Sequence, residues 1–195
     1  MRPLVADSNV HELKDALVGV LAFVCIIWIV FLLDRFLPLE SFALVPRSVS
    51  GIAGIVAMPF LHVDWQHIVS NTAPLLVTLL LLAGSRANTG MIVILIVLLS
   101  GVLLWIFGRE ARHMGASALV FGLIGFHLTC GVLERRLVSL LIAACVGIIY
   151  GTTLLQGIVP FQRGVSWEGH LLGALAGALV ALSVARTITQ RTPSS

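Results

Sequence analysis

The chain has 195 residues, of which 58% are hydrophobic and only 11% charged, and its formal charge is +3. Together with a mean hydropathy of +1.06, this composition excludes an ordinary soluble domain and describes a chain that lives in a bilayer. The twelve basic residues are scattered through the polar segments and form no stripe with interleaved aromatics, so they read as membrane topology and not as a nucleic-acid surface.

Residues 1–15 are polar and mixed in charge, with Arg2, Asp7, Glu12, Lys14 and Asp15, and are expected to form a tail. Residues 16–33 carry no charge, and eighteen residues at the helical rise reach about 27 Å, enough to cross a hydrocarbon core. The run is too long and too late for a secretory signal, and no A-x-A site follows it. Residues 34–61 make the longest connection, where Gly51, Gly54 and Pro59 argue against a spanning helix and favour a segment in the interface. Further spans are expected at 65–83, 88–107, 116–133, 137–155 and 167–186, followed by a polar tail at 187–195. The predicted fold class is therefore all-α: a polytopic membrane protein built as a six-helix bundle. Cys25, Cys130 and Cys145 lie inside apolar runs without C-x-x-C spacing and read as small packing residues.

Six crossings place both termini on one side and make the second, fourth and sixth spans parallel. His67 and Asn71 open the second span, Ser117 opens the fourth just after Gly115, and His170 opens the sixth, so these polar groups share one leaflet at shallow depth. On the side of the termini stand Arg2, Lys14, Arg86, Arg135, Arg136, Arg186 and Arg191, against Arg35, Arg47, Arg109, Arg112 and Arg163 opposite. Seven against five favours cytoplasmic termini and an outward-facing polar end.

Gly169, Gly173 and Gly177 recur every four residues in the sixth span, beside Ala174 and Ala178. Such a stripe admits a close helical neighbour. If that neighbour is the fourth span, with its Gly115 and Gly122, His170 comes within reach of Ser117. A serine hydroxyl is a poor nucleophile until a base takes its proton, and histidine titrates in the useful range. His170 is thus the candidate base for Ser117, while the Ser117 N–H, the Asn71 amide and the His67 ring are candidate donors to an oxyanion. Losing one such donor typically costs about 3 kcal/mol of barrier. Glu168, two residues before His170, points elsewhere on a helix, which leaves a dyad.

Plainer roles exist for each residue. A serine at a helix start is a favoured cap, and His67 and Asn71 suit simple bonds between helices. His127, midway along the fourth span, reads as a buried hydrogen-bonding group, and His62 and His113 read as interfacial. No metal or other cofactor is expected: His62 and His67 are five apart, the wrong spacing for a helical pair, and H-E-x-x-H is absent. The string Gly115 to Leu119 also fails the hydrolase elbow G-x-S-x-G.

Taken in this order, the motifs resemble those of the rhomboid family of intramembrane serine proteases in its minimal six-helix form, over roughly residues 61–185. The family's H-x-x-x-N is matched by His67 to Asn71, its G-x-S by Gly115 to Ser117, and its G-H-x-x-G by Gly169 to Gly173; His62, Trp65 and His67 are also similar to its approach to the second span. The resemblance implies that Ser117 is the nucleophile and His170 the general base, with His67 and Asn71 supporting the oxyanion. It implies transmembrane protein substrates in the lipid bilayer, cut near the top of their spans, with small residues at the cut and helix-breaking residues below. It also implies water admitted through a polar cavity and a gate formed by the fifth span and the loop after it.

One departure is Ala118, where the family usually has glycine after the serine; the added methyl removes no catalytic group, and activity is expected to survive. A catalytically inactive relative that binds membrane clients would share the fold, but such chains generally lack the serine or the histidine, and both are present. A transporter would call for midplane charges or repeated broken helices, and only His127 lies at that depth. The compact architecture points to a bacterial plasma membrane.

Overall fold

In hydrocarbon every backbone N–H and C=O must be satisfied within the chain, and a sequence this apolar meets that demand with helices. The computed structural model describes residues 5–160 and 164–190, with side chains described for 13–160 and 164–185. The helices are α1 (Val5–Leu33), the short α2 (Gly54–Ala57), α3 (Trp65–Ser85), α4 (Thr89–Phe107), α5 (Ser117–Glu134), α6 (Leu137–Gly157) and α7 (Trp167–Gln190). All but α2 contain an apolar stretch long enough to cross a membrane. Among the described residues there is no strand, only an isolated bridge between Leu44 and His113.

Two ends differ from expectation. Helix α1 begins at Val5, so much of the expected tail is helical, and Lys14 and Asp15 on it are exposed. Helix α7 likewise continues to Gln190, beyond the expected end at 186, and residues 191–195 of the expected tail lie outside the described residues. The connection between α1 and α3 is a string of short turns: 3-10 segments at Leu39–Phe42, Val49–Gly51 and Met58–Phe60, with α2 among them. Gly51 and Gly54 let it fold tightly on itself, since a Cβ at either would enter the backbone of Val45 or Leu44. It seats on α4, where a Cβ at Gly101 would lie 2.7 Å from the Ile55 carbonyl oxygen. Met58 and Pro59 point inward, whereas Val49, Ile52 and Val56 are exposed, leaving an apolar outer face.

Helix α5 is the axis of the bundle. Every residue from Ala118 to His127 is buried, with α3, α4, α6 and α7 all packed against it. Lipid tails are as apolar as leucine, so nothing like the aqueous hydrophobic effect drives these helices together; close backbone approach has to do it. Helices α5 and α7 form the most extensive pair. A Cβ at Gly173 would strike the Ala118 carbonyl, one at Gly177 the Gly122 carbonyl, and one at Gly125 the Ala174 carbonyl. Gly169 and Gly115 do not share this seam: Gly169 faces Ser166 and Leu104, and Gly115 faces the His67 ring.

Polar ties hold the helix ends. Asp64 caps α3 by accepting the His67 N–H at 2.8 Å. The Arg47 guanidinium donates to the Gly108 and Ile106 carbonyls at 2.6 and 3.2 Å, satisfying orphan acceptors at the end of α4. At the opposite end of the bundle Arg86 pairs with Glu134 at 2.8 Å, and Glu134 also accepts the Ser139 hydroxyl at 2.6 Å, joining α3, α5 and α6.

Because the atoms a Cβ at Gly177 would strike are backbone, Gly177→Val should destabilise the bundle beyond the usual overpacking cost of about 1–3 kcal/mol. The matched control is Gly151→Val, where nothing lies within 4 Å. Loss of helical circular dichroism on titrating mixed micelles with dodecyl sulfate should shift strongly for the first variant and little for the second.

Candidate active site

The N-termini of α3, α5 and α7 end at one cavity of about 820 Å³, whose wall includes His67, Asn71, Ser117 and His170. Four polar groups from three helices thus face a shared space. Ser117 is the first residue of α5, after Ala116 at the N-cap, and is half-buried. Its position at a helix start puts free backbone N–H groups beside its hydroxyl.

The loop before it is tightly fixed. Gly115 has φ +114, a conformation that suits glycine, and its N–H donates to the Met58 carbonyl at 3.0 Å. A Cβ there would sit 2.6 Å from His67 Nε2, so the missing side chain lets the imidazole lie against the backbone. The Ala116 N–H donates to His62 Nε2 at 3.3 Å, and the His62 and His67 rings meet edge to face at 5.1 Å. Asn71 is buried and donates one amide hydrogen to the His67 carbonyl at 2.8 Å.

His170 is held at both its ring and its backbone. Its imidazole stacks on Phe121 with centroids 4.0 Å apart and planes 7° apart, one turn along α5 from Ser117. Nδ1 faces the Gly157 carbonyl at 2.9 Å, and because a carbonyl only accepts, Nδ1 carries the hydrogen. The neutral ring therefore has its lone pair on Nε2, the nitrogen a general base needs. Gly157 permits this approach, since a Cβ there would enter the Phe121 ring and come within 3.0 Å of His170 Nδ1.

Several residues of this site escaped the sequence reading. His62 and His113, expected at the interface, are buried, at 1% and 2% exposure. His113 Nε2 donates to the Arg109 carbonyl at 3.1 Å and Nδ1 accepts the Ser166 hydroxyl at 2.7 Å. Glu168 indeed turns away from His170; it pairs with Arg109 at 3.2 Å. His127 is buried and donates from Nε2 to the Thr78 carbonyl at 3.0 Å, away from the cavity wall. Neither Gly157 nor Ser166 carries a local pattern that marks it; both are defined by what folds against them. Among the described residues no group of three or more His, Cys, Asp or Glu side chains is arranged to hold a metal ion.

Burial holds the His62 imidazole well below its usual range, to about 4, with the neighbouring His67 acting in the same direction and the Phe60 carbonyl opposing. Burial also lowers His113, partly offset by its bond to the Arg109 carbonyl.

A bundle of six apolar helices in which a serine and a histidine line one cavity at the N-termini of three of them defines a class: polytopic membrane proteins with a polar cavity among their helices. The comparisons make that specific. The Rhomboid domain matches residues 46–187, and the chain belongs to the rhomboid family. Members are generally intramembrane serine proteases that act on membrane proteins in a bilayer. The chain is 36% identical to uncharacterized proteins of Mycobacterium tuberculosis and Mycobacterium bovis, covering 92% of its own length and 81% of theirs. It is 34% identical to an uncharacterized protein of Mycobacterium leprae, covering 84% of its own length and 69% of the relative's.

A histidine kept neutral in the fold but free to protonate when unfolded makes stability fall as pH drops from the unfolded value of 6.5 toward about 4, and level off below. At about 1.4 kcal/mol per unit the His62 contribution across that window reaches roughly 3 kcal/mol. Equilibrium unfolding in mixed micelles between pH 4 and 7 should follow that slope. His62→Asn should make it shallower.

Proposed function

We propose that this protein is an intramembrane serine endopeptidase that hydrolyses a peptide bond in or near the transmembrane segment of single-pass membrane proteins. The observation that carries the reading is the bond from His170 Nδ1–H to the Gly157 carbonyl, which leaves Nε2 as the acceptor in the cavity that Ser117 also lines.

In this mechanism Nε2 takes the Ser117 proton as the hydroxyl oxygen attacks the scissile carbonyl. The negative charge on the tetrahedral intermediate meets the backbone N–H groups at the start of α5, the second Asn71 amide hydrogen and the His67 ring. Collapse of the intermediate passes the proton from His170 to the leaving amine, and water drawn from the cavity then releases the acyl group by the same steps in reverse order. Gly115 supports the donors by letting His67 close on the loop. The site requires no cofactor.

A substrate helix has to reach this cavity from the lipid. Helix α6 suits a gate: its buried residues are Ser139, near its start, and Val146 at its middle. Its far end, with Tyr150, Thr153, Gln156 and Gly157, contributes to the cavity wall. The proposed location is the plasma membrane, where the distribution of basic residues favours cytoplasmic termini with the cavity facing outward.

The test compares the intact protein with Ser117→Ala and His170→Ala in proteoliposomes holding a model single-pass substrate. Cleavage by the intact chain, with both variants reduced to background, is the expected result; the intact protein should also be labelled by a fluorophosphonate, and Ser117→Ala should not. An intact chain that neither cuts several substrates nor takes the label overturns the reading in favour of a non-catalytic client-binding role.

A further inference from the structure

The proposed nucleophile and base lie 53 residues apart in the chain, on different helices, and the reaction asks that they stay in register to within a fraction of an ångström. Side chains outside the dyad join the two elements. Ser166 stands directly before α7, and its backbone carbonyl accepts the His170 N–H at 3.1 Å. Its hydroxyl oxygen accepts the Gly169 N–H at 3.2 Å. Both bonds close the first turn of α7, the turn that carries His170.

An ordinary cap needs only that acceptor half. Here the hydroxyl hydrogen is used as well, donated to His113 Nδ1 at 2.7 Å. His113 belongs to the loop that leads into Ser117, four residues upstream. Its own geometry is fixed by the Nε2–H bond to the Arg109 carbonyl and by paired backbone bonds with Leu44 at 2.8 and 3.1 Å. Arg109 crosses the same seam twice, to the Glu168 carboxylate at 3.2 Å and to the Val165 carbonyl at 2.9 Å. Burying an imidazole and a carboxylate is costly unless they are bonded, and both are placed where the serine-bearing loop meets the histidine-bearing turn.

We propose that Ser166, oriented by His113, is a positioning residue for the base: it ties the turn of α7 that carries His170 to the loop that carries Ser117. The Arg109–Glu168 pair is the second tie across that junction. This deepens the protease reading and rests on it for its kinetic consequence. The tie itself is a property of the fold, so it has a readout that does not need turnover.

The experiment compares Ser166→Ala and His113→Leu with the conservative Ser166→Thr, which keeps a hydroxyl, and His113→Asn, which keeps an acceptor near the place of Nδ1. In proteoliposomes kcat should fall by about ten- to a hundredfold for the first two, the size expected when reacting groups are misplaced by up to about 1 Å. KM should stay within about twofold, because substrate binding is not what the tie controls. Fluorophosphonate labelling of Ser117 should slow in parallel, and Ser166→Thr and His113→Asn should recover most of the rate.

The second readout is the ¹⁵N spectrum of the His170 imidazole in ring-labelled protein. It should report an Nδ1-protonated ring in the parent and a mixture of tautomers in Ser166→Ala. The inference is overturned if Ser166→Ala keeps kcat within about twofold, if its loss is matched by the loss of folded protein, or if KM carries the whole effect. Should the parent neither cleave nor label, the protease reading falls and the spectrum alone decides: a changed His170 signal in Ser166→Ala upholds the tie, and an unchanged one overturns it.

Discussion

Everything near the cavity depends on the backbone contact between α5 and α7. Gly173 sits on the Ala118 carbonyl, Gly177 on the Gly122 carbonyl, and Gly125 on the Ala174 carbonyl, so the two helices meet without intervening side chains. In a bilayer this replaces the hydrophobic effect, because helices gain nothing by exchanging lipid for leucine and gain much by dense van der Waals contact. The contact also fixes geometry. With Ala118 pressed on Gly173, the starts of both helices are committed to the same end of the bundle, and the Phe121 ring is left where His170 can stack on it.

From that contact outward, the cavity is built by adjustments that each need a missing or compact side chain. Gly115 admits the His67 ring and Gly157 admits the paired rings of Phe121 and His170. Polar groups are then bonded one by one as they are buried: His62 to the Ala116 N–H, His113 to Ser166 and Arg109, and Asn71 to the His67 carbonyl. Such bonding is the general condition for taking polar groups out of water. For the proposed reaction it would leave the donors preorganised, as stabilising a developing charge without rearrangement requires. The far end of the bundle is held by one ionic knot, Arg86–Glu134 with Ser139, so α6 is anchored away from the cavity and lightly packed beside it.

Ala118 fits this frame. It is buried, its carbonyl receives Gly173, and its methyl joins Leu44, Met58 and Leu104 in a small apolar cluster beneath the loop. The added methyl is therefore directed into packing behind the serine. The turns at residues 34–61 serve the same cluster: Leu44 bridges to His113 and Met58 accepts the Gly115 N–H, so a segment without a spanning helix braces the loop from the side.

The sequence by itself determined the class of fold and set the residues of the proposed site at one face, for a physical reason: uninterrupted apolar runs have one stable form in hydrocarbon, and their parity dictates which ends share a leaflet. Once His67, Asn71, Ser117 and His170 each opened an alternate span, their meeting at one face followed from counting. The four-residue glycine period announced a close neighbour for α7, because small residues on one helical face have that consequence. Only the tertiary structure decided which glycines serve that contact, putting Gly169 against Ser166 and Gly115 against His67. It alone decided that His62 and His113 are buried and bonded within the protein, and that Gly157 supplies the carbonyl that sets the His170 tautomer. The bonds that hold His62, His113 and His170 span 54, 53 and 13 residues, and no local pattern of side chains encodes a partner that only folding brings near.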